Sequence, residues 1–174
     1  MTPGGEDLKG AFACAGRDAC EELLRAVFAE PDEAGAALKV YLRNFSSFNE
    51  TFGYKRGEAL LSEVVAWLAE IPGALVFRAG GGVAFILVLR GAGPVEATAV
   101  AQRIADRFEE PWPIGDIDCV LSADTGVVLY PQYAESPGDL FRNLDLALGQ
   151  SGKMPPGQVT LFGPALKERL YRNS

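Results

Sequence analysis

The chain has 174 residues, 48% of them hydrophobic and 22% charged, a balance that fits one globular domain and excludes a disordered tract. Its 16 Lys and Arg against 23 Asp and Glu leave a formal charge of −7, which argues against binding nucleic acid through its phosphate backbone. There is no histidine, which removes the commonest general base and metal ligand, and with them Ser-His-Asp and Cys-His catalysis.

Residues 1–10 read as a loose leader containing Thr2, Pro3, Gly4 and Gly5. A helix is predicted from Arg17 to Glu30, ended by Pro31. Ala36 to Leu42 (AALKVYL) reads as the first strand, and Asn44 to Tyr54 as a short helix or turn closed by Gly53. From Arg56 to Glu70, Leu60, Leu61, Val64, Val65 and Leu68 recur on one helical face, and Pro72-Gly73 stops the pattern. Ala74 to Arg78 and Val83 to Leu89 are apolar strands on either side of Gly80, Gly81 and Gly82, which predicts a β-hairpin. Ala97, Val100, Ala101, Ile104, Ala105 and Phe108 place a helix over Pro94 to Phe108. Ile117 to Tyr130 reads as one long strand region. A helical stripe of Leu140, Phe141, Leu144 and Leu148 follows, then a short strand from Val159 to Phe162 and a polar helix from Pro164 to about Arg172.

This order predicts an α/β (α+β) domain: a palm-type, ferredoxin-like mixed sheet with a central antiparallel hairpin and flanking helices. The three cysteines, Cys14, Cys20 and Cys119, have no C-x-x-C spacing and read as buried reduced thiols. Met1 to Lys9 is polar and acidic, unlike a signal peptide, and no apolar run approaches the ~20 residues of a membrane span. A cytoplasmic location with no membrane contact in this segment is expected.

Tyr41 to Leu61 reads YLRNFSSFNETFGYKRGEALL, and the hairpin reads RAGGGVAF. Together these resemble the GGDEF family, the diguanylate cyclase domains that make cyclic di-GMP from two GTP. The family's first motif is D-x-D-x-F-K-x-x-N-D-x-x-G-H-x-x-G-D-x-L-L, and Phe45, Asn49, Gly53, Gly57, Leu60 and Leu61 keep it at the same spacing. Glu50 and Glu58 stand where the family has aspartates. Arg78, Gly80 and Gly81 keep the start of the second motif, R-x-G-G-D/E-E-F. Ser122 to Pro131 resembles the family's S-x-G-x-A-x-Y-P strand with one residue extra, and Asp145, Ala147 and Leu148 resemble its D-x-A-L-Y-x-A-K helix. The resemblance runs from about Leu8 to Phe162, and the order and spacing of the motifs carry it.

The departures fall on the chemistry. The resemblance implies a metal-binding aspartate where this chain has Tyr41, and an acidic pair where it has Gly82 and Val83, with Ala84 in place of the signature phenylalanine. Ser46 and Gly152 stand at the family's lysines, with Lys153 beside the second. Mg²⁺ seeks hard carboxylate oxygens, so it is not expected to bind here with the family geometry. The degenerate signature Gly80, Gly81, Gly82, Val83 and Ala84 then reads as a tight turn, no catalytic or metal-binding residue is assigned, and no cofactor is expected. The resemblance assigns Asn49 and Glu58 to the guanine edge of a nucleotide; a turn-stabilising asparagine and a helix-start glutamate are the alternative. The R-x-x-D product-inhibition motif is absent, its positions being Ile71 and Ala74. The acidic pairs Glu21-Glu22, Glu109-Glu110 and Asp116/Asp118 read as solvated surface.

The tail VTLFGPALKERLYRNS resembles the stretch joining a GGDEF domain to an EAL phosphodiesterase domain, with Leu166 and Leu170 as its apolar stripe. A frayed terminal helix is the alternative. The expected organisation is a leader over 1–10, a GGDEF-like domain over 11–162 and a connector helix over 163–174. The expected role is a catalytically inactive regulatory or scaffolding domain in cyclic di-GMP signalling, with an EAL or other domain of the same parent chain as partner. The alternatives are a weak GTP receptor controlling that neighbour and an active diguanylate cyclase.

Overall fold

The computed structural model describes residues 15–30, 32–79, 83–164 and 166. In chain order the elements are α1 (Arg17–Phe28), β1 (Gly35–Leu42), α2 (Phe45–Phe52), α3 (Tyr54–Ala69), β2 (Ala74–Ala79), β3 (Ala84–Arg90), α4 (Pro94–Phe108), β4 (Trp112–Ile114), β5 (Ile117–Cys119), β6 (Ala123–Tyr130), α5 (Pro137–Ser151) and β7 (Val159–Leu161). The main sheet has five strands in the order β2-β3-β1-β6-β7. β1 is antiparallel to both β3 and β6, and β7 joins β6 in parallel, so the sheet is mixed.

Strand side chains alternate between faces, and β1 sorts its residues accordingly. Leu38, Val40 and Leu42 enter a core with Leu60, Val64 and Leu68 of α3 and Ala97, Ala101 and Ile104 of α4. Ala37 enters the opposite core, with Cys20, Leu24 and Val27 of α1 and Leu140, Leu144 and Ala147 of α5. Lys39 and Tyr41 share the parity of Ala37, so they open toward the side of the sheet that α1 and α5 cover. Because helices cover both faces, β6 is buried at every position, including its two polar residues Asp124 and Thr125. Each large apolar side chain removed from water in these two layers contributes roughly 1.5–3 kcal/mol.

The segment before α3 is helical over Phe45–Phe52, and Gly53, at φ 91°, separates the two helices. Only glycine takes that backbone conformation at little cost. α5 starts at a serine cap: the Ser136 hydroxyl accepts from the Asp139 amide at 3.1 Å, with Pro137 next in the chain.

The α+β architecture is present, with two refinements. The β2-β3 hairpin runs from the sheet edge inward, and β1 is the middle strand. The region expected as one strand over Ile117–Tyr130 is divided: Ile117–Cys119 pairs with Trp112–Ile114 in a separate two-stranded sheet, and β6 begins at Ala123. Gly115-Asp116 is the two-residue turn between β4 and β5, with Gly115 at φ 61°. Leu166 also differs from expectation. It is buried in the α1/α5 core with Phe162, so it packs against this domain and is not presented to a neighbour. Leu170 and most of the expected terminal helix lie outside the described residues, as do Cys14, the leader and Gly80, Gly81 and Gly82. Among the described residues no helix is long and apolar enough to cross a membrane.

Candidate functional site

The sheet ends in a cleft where β1, β3 and β6 meet the C-terminal part of α5. Its volume is about 500 Å³, and Tyr41, Ala84, Asp124, Asp145 and Gly152 are among its walls. The register explains this set, because Tyr41 pairs with Ala84 on one side and with Asp124 on the other. Lys39 and Arg43 also line the cleft, two residues either side of Tyr41. Strand periodicity therefore brings two cations and a phenol to one opening.

Both cations are already paired. Lys39 Nζ lies 2.6 Å from Asp145 Oδ1, with the aspartate largely exposed. Arg43 Nε donates to Oδ2 of Asp124, a carboxylate only 3% exposed. Arg43 Nη2 donates to the carbonyls of Ser151 and Met154, each at 2.9 Å. The second oxygen of Asp124 accepts from the Gly157 amide at 3.3 Å. Two carboxylates face two cations, so the lining side chains carry no net charge.

α5 approaches β6 over Gly126, which pairs with Lys39 across the ladder. A Cβ on Gly126 would sit 3.0 Å from Ala147 Cβ and 3.1 Å from the Leu144 carbonyl. The lack of a side chain there lets the helix lie close and form one wall of the cleft.

Asn49 and Glu58 lie on α2 and α3, outside this lining. Asn49 packs on Gly57: a Cβ there would collide with Asn49 Oδ1, so the asparagine sits against the residue preceding Glu58. The Asn49 Oδ1 atom is buried with no hydrogen-bond partner among the described residues, while the residue as a whole is half-buried, as is Glu58. Of the degenerate signature, Ala84 forms part of the cleft wall and Val83 packs against the α3/α4 core; its carbonyl accepts from the Leu42 amide at 3.0 Å. Ile71 is a core residue and Ala74 packs against the same core. Ser46 and Lys153 are exposed and are absent from the cleft lining. Glu21 pairs with Arg25 at 3.2 Å, and Asp116 lies 4.0 Å from Arg56.

The family model described as diguanylate cyclase, GGDEF domain, matches residues 16–155. The chain belongs to the GGDEF family. This GGDEF domain is 28% identical over 131 residues to the cyclic di-GMP phosphodiesterase PdeR of Escherichia coli, covering 75% of this chain and 20% of PdeR. It is also 28% identical over 118 residues to MucR of Pseudomonas aeruginosa, a bifunctional diguanylate cyclase and cyclic di-GMP phosphodiesterase, covering 67% of this chain and 17% of MucR. The chain thus spans about a fifth of the length of these relatives. The solved GGDEF domain of TpbB (YfiN) from P. aeruginosa superimposes with a TM-score of 0.82 at 22% identity, covering 92% of this chain and 96% of that one. It shares the fold of this domain.

Lys39, Arg43 and Asp124 were not singled out by sequence reasoning as site residues, and Asp145 entered only as a motif match. The i, i+2, i+4 spacing of Lys39, Tyr41 and Arg43 on an apolar strand was a readable signal for the two cations. Nothing local pointed to Asp124, which is 81 residues from Arg43 in the chain.

Proposed function

We propose that this GGDEF domain is a non-catalytic regulatory module in cyclic di-GMP signalling. The supporting observation is the donor set of the cleft. The position of the family's metal-binding carboxylate is Tyr41, flanked by Lys39 and Arg43, and both nearby carboxylates are engaged by those cations. Phosphoryl transfer of this class depends on divalent cations to neutralise the triphosphate and position the attacking oxygen. Mg²⁺ needs free hard oxygens in near-octahedral array, and a phenol between two cations does not fit it. The likeness to PdeR and MucR and the resemblance of the tail to a GGDEF–EAL junction support work beside a phosphodiesterase domain.

Incubation with GTP and Mg²⁺ or Mn²⁺, followed by chromatography, tests this reading. No cyclic di-GMP above a protein-free blank is expected. Product formation that a substitution such as Asp145→Asn abolishes would overturn it.

A second reading rests on Asn49. An Oδ1 packed against Gly57, next in the chain to Glu58, and without a hydrogen-bond partner among the described residues supports weak purine binding at Asn49 and Glu58. A few neutral hydrogen bonds, each about 1 kcal/mol net, give affinity no better than high micromolar after association costs. Calorimetry is expected to show weak GTP binding, insensitive to Mg²⁺ and lost in Asn49→Ala. Sub-micromolar binding that requires Mg²⁺ would contradict both readings.

A further inference from the structure

Arg43 sits where three separate segments converge. Its own amide donates to the Ser122 carbonyl at 2.9 Å, just ahead of β6. Its side chain engages the Asp124 carboxylate inside β6 and two carbonyls, Ser151 and Met154, at and just beyond the end of α5. Asp124 in turn accepts from the Gly157 amide, two residues before β7 begins at Val159. Directly after Arg43, Asn44 takes a left-handed backbone at φ 59°, a conformation that asparagine tolerates better than most residues. One carboxylate oxygen and two backbone carbonyls are hard oxygen acceptors of the kind that gather around a divalent cation. The end of a helix also favours positive charge, because its last carbonyls lack intrahelical partners.

We propose that Arg43 is a tethered cation that draws the end of β1, the start of β6 and the α5–β7 connection together, as a bound divalent ion would, and so keeps this cleft shaped without metal. The guanidinium suits the task because it is permanently charged and its fixed fork of N–H groups reaches several acceptors at once. The carboxylate is nearly fully buried, so bulk salt screens this contact far less than it screens the exposed Lys39–Asp145 pair. The inference does not depend on whether the domain binds nucleotide or makes product.

The test compares the protein with its Arg43→Ser and Arg43→Lys variants by thermal unfolding in EDTA and in millimolar Ca²⁺, and by hydrogen exchange. The unaltered protein is expected to melt at the same temperature in both solutions. Arg43→Ser is expected to melt several degrees lower in EDTA and to recover part of the loss in Ca²⁺, which can occupy the vacated oxygens. Arg43→Lys keeps the charge but loses the fork, so amides over residues 152–158 are expected to exchange at least about tenfold faster, with those of α1 unchanged. If Arg43→Ser does not fold, the exchange pattern of Arg43→Lys decides. A Ca²⁺- or EDTA-sensitive melting temperature for the unaltered protein overturns the proposal. So does an Arg43→Ser variant that folds but ignores Ca²⁺, or exchange that rises evenly across the Arg43→Lys variant.

Discussion

Tyr130 lies opposite Gly35 on the β1–β6 ladder, and a Cβ on that glycine would collide with its hydroxyl. The hydroxyl is buried with no hydrogen-bond partner among the described residues. Burial, reinforced by the nearby Glu33 carboxylate and opposed by Arg90, pushes the phenol up to about 12. An unfolded tyrosine ionises near pH 10 while the folded one holds its proton, so stability is lost as pH rises from about 10 to about 12. Tyr130→Phe is expected to flatten that alkaline fall, read from melting temperatures across the range. It is also expected to raise stability at neutral pH by about 1 kcal/mol, because an unpaired buried hydroxyl is costly. A loss of stability in urea unfolding of Tyr130→Phe would show that the hydroxyl is satisfied. Cys20 is a simpler case: burial raises its thiol to about 12, matching the inert, reduced thiol read from the sequence. The lack of any C-x-x-C spacing carried that reading. Motif spacing singled out Asn49 and Glu58, but it could not show that Asn49 packs on Gly57.

At the level of elements, helices with clean apolar stripes were legible to within a residue or two. The helix placed over Pro94 to Phe108 is α4 with those bounds, and the one placed over Arg56 to Glu70 is α3, Tyr54–Ala69. The small β4-β5 hairpin was not seen, although Ile-Gly-Asp-Ile carries the turn signal, because Val120 continues the apolar run toward β6. Val120 is instead 74% exposed in the break between the two strands. The contact of α5 with β6 supplies a test at this scale. Gly126→Ala places a methyl at 3.0 Å from Ala147 Cβ and 3.1 Å from the Leu144 backbone oxygen, and backbone cannot swing aside. Overpacking of this kind costs about 1–3 kcal/mol, and Gly126→Val should cost more. Urea titrations of the two variants check the order; equal stability to the parent would mean that α5 slides freely on the sheet.

Over the whole molecule, one sheet serves two cores that share no buried side chain. Both tryptophans, Trp67 and Trp112, lie on the α3/α4 side, where their rings meet edge to face at 6.2 Å. Tryptophan fluorescence therefore reports one layer, while far-ultraviolet circular dichroism reports both. Because β1, β2, β3 and β6 each back both cores, the two signals are expected to give the same midpoint in denaturant. Separate midpoints would mean that α1 and α5 detach before the rest. The fold class was legible because element order and periodicity are local properties of the chain. The cleft's wiring was not, because Arg43 finds Asp124, Ser151 and Met154 only after the chain has closed. The run Lys39, Tyr41, Arg43 also bears on what a single substitution in the cleft can do. The substitution Tyr41→Asp would set a new carboxylate between an ammonium and a guanidinium that are already paired with Asp145 and Asp124. Tyr41→Asp would therefore place its carboxylate in the field of two cations, which disfavours a further cation there. On the non-catalytic reading proposed above, the flanking charges and the position of the phenol belong to one arrangement, and changing Tyr41 alone does not recreate a metal site.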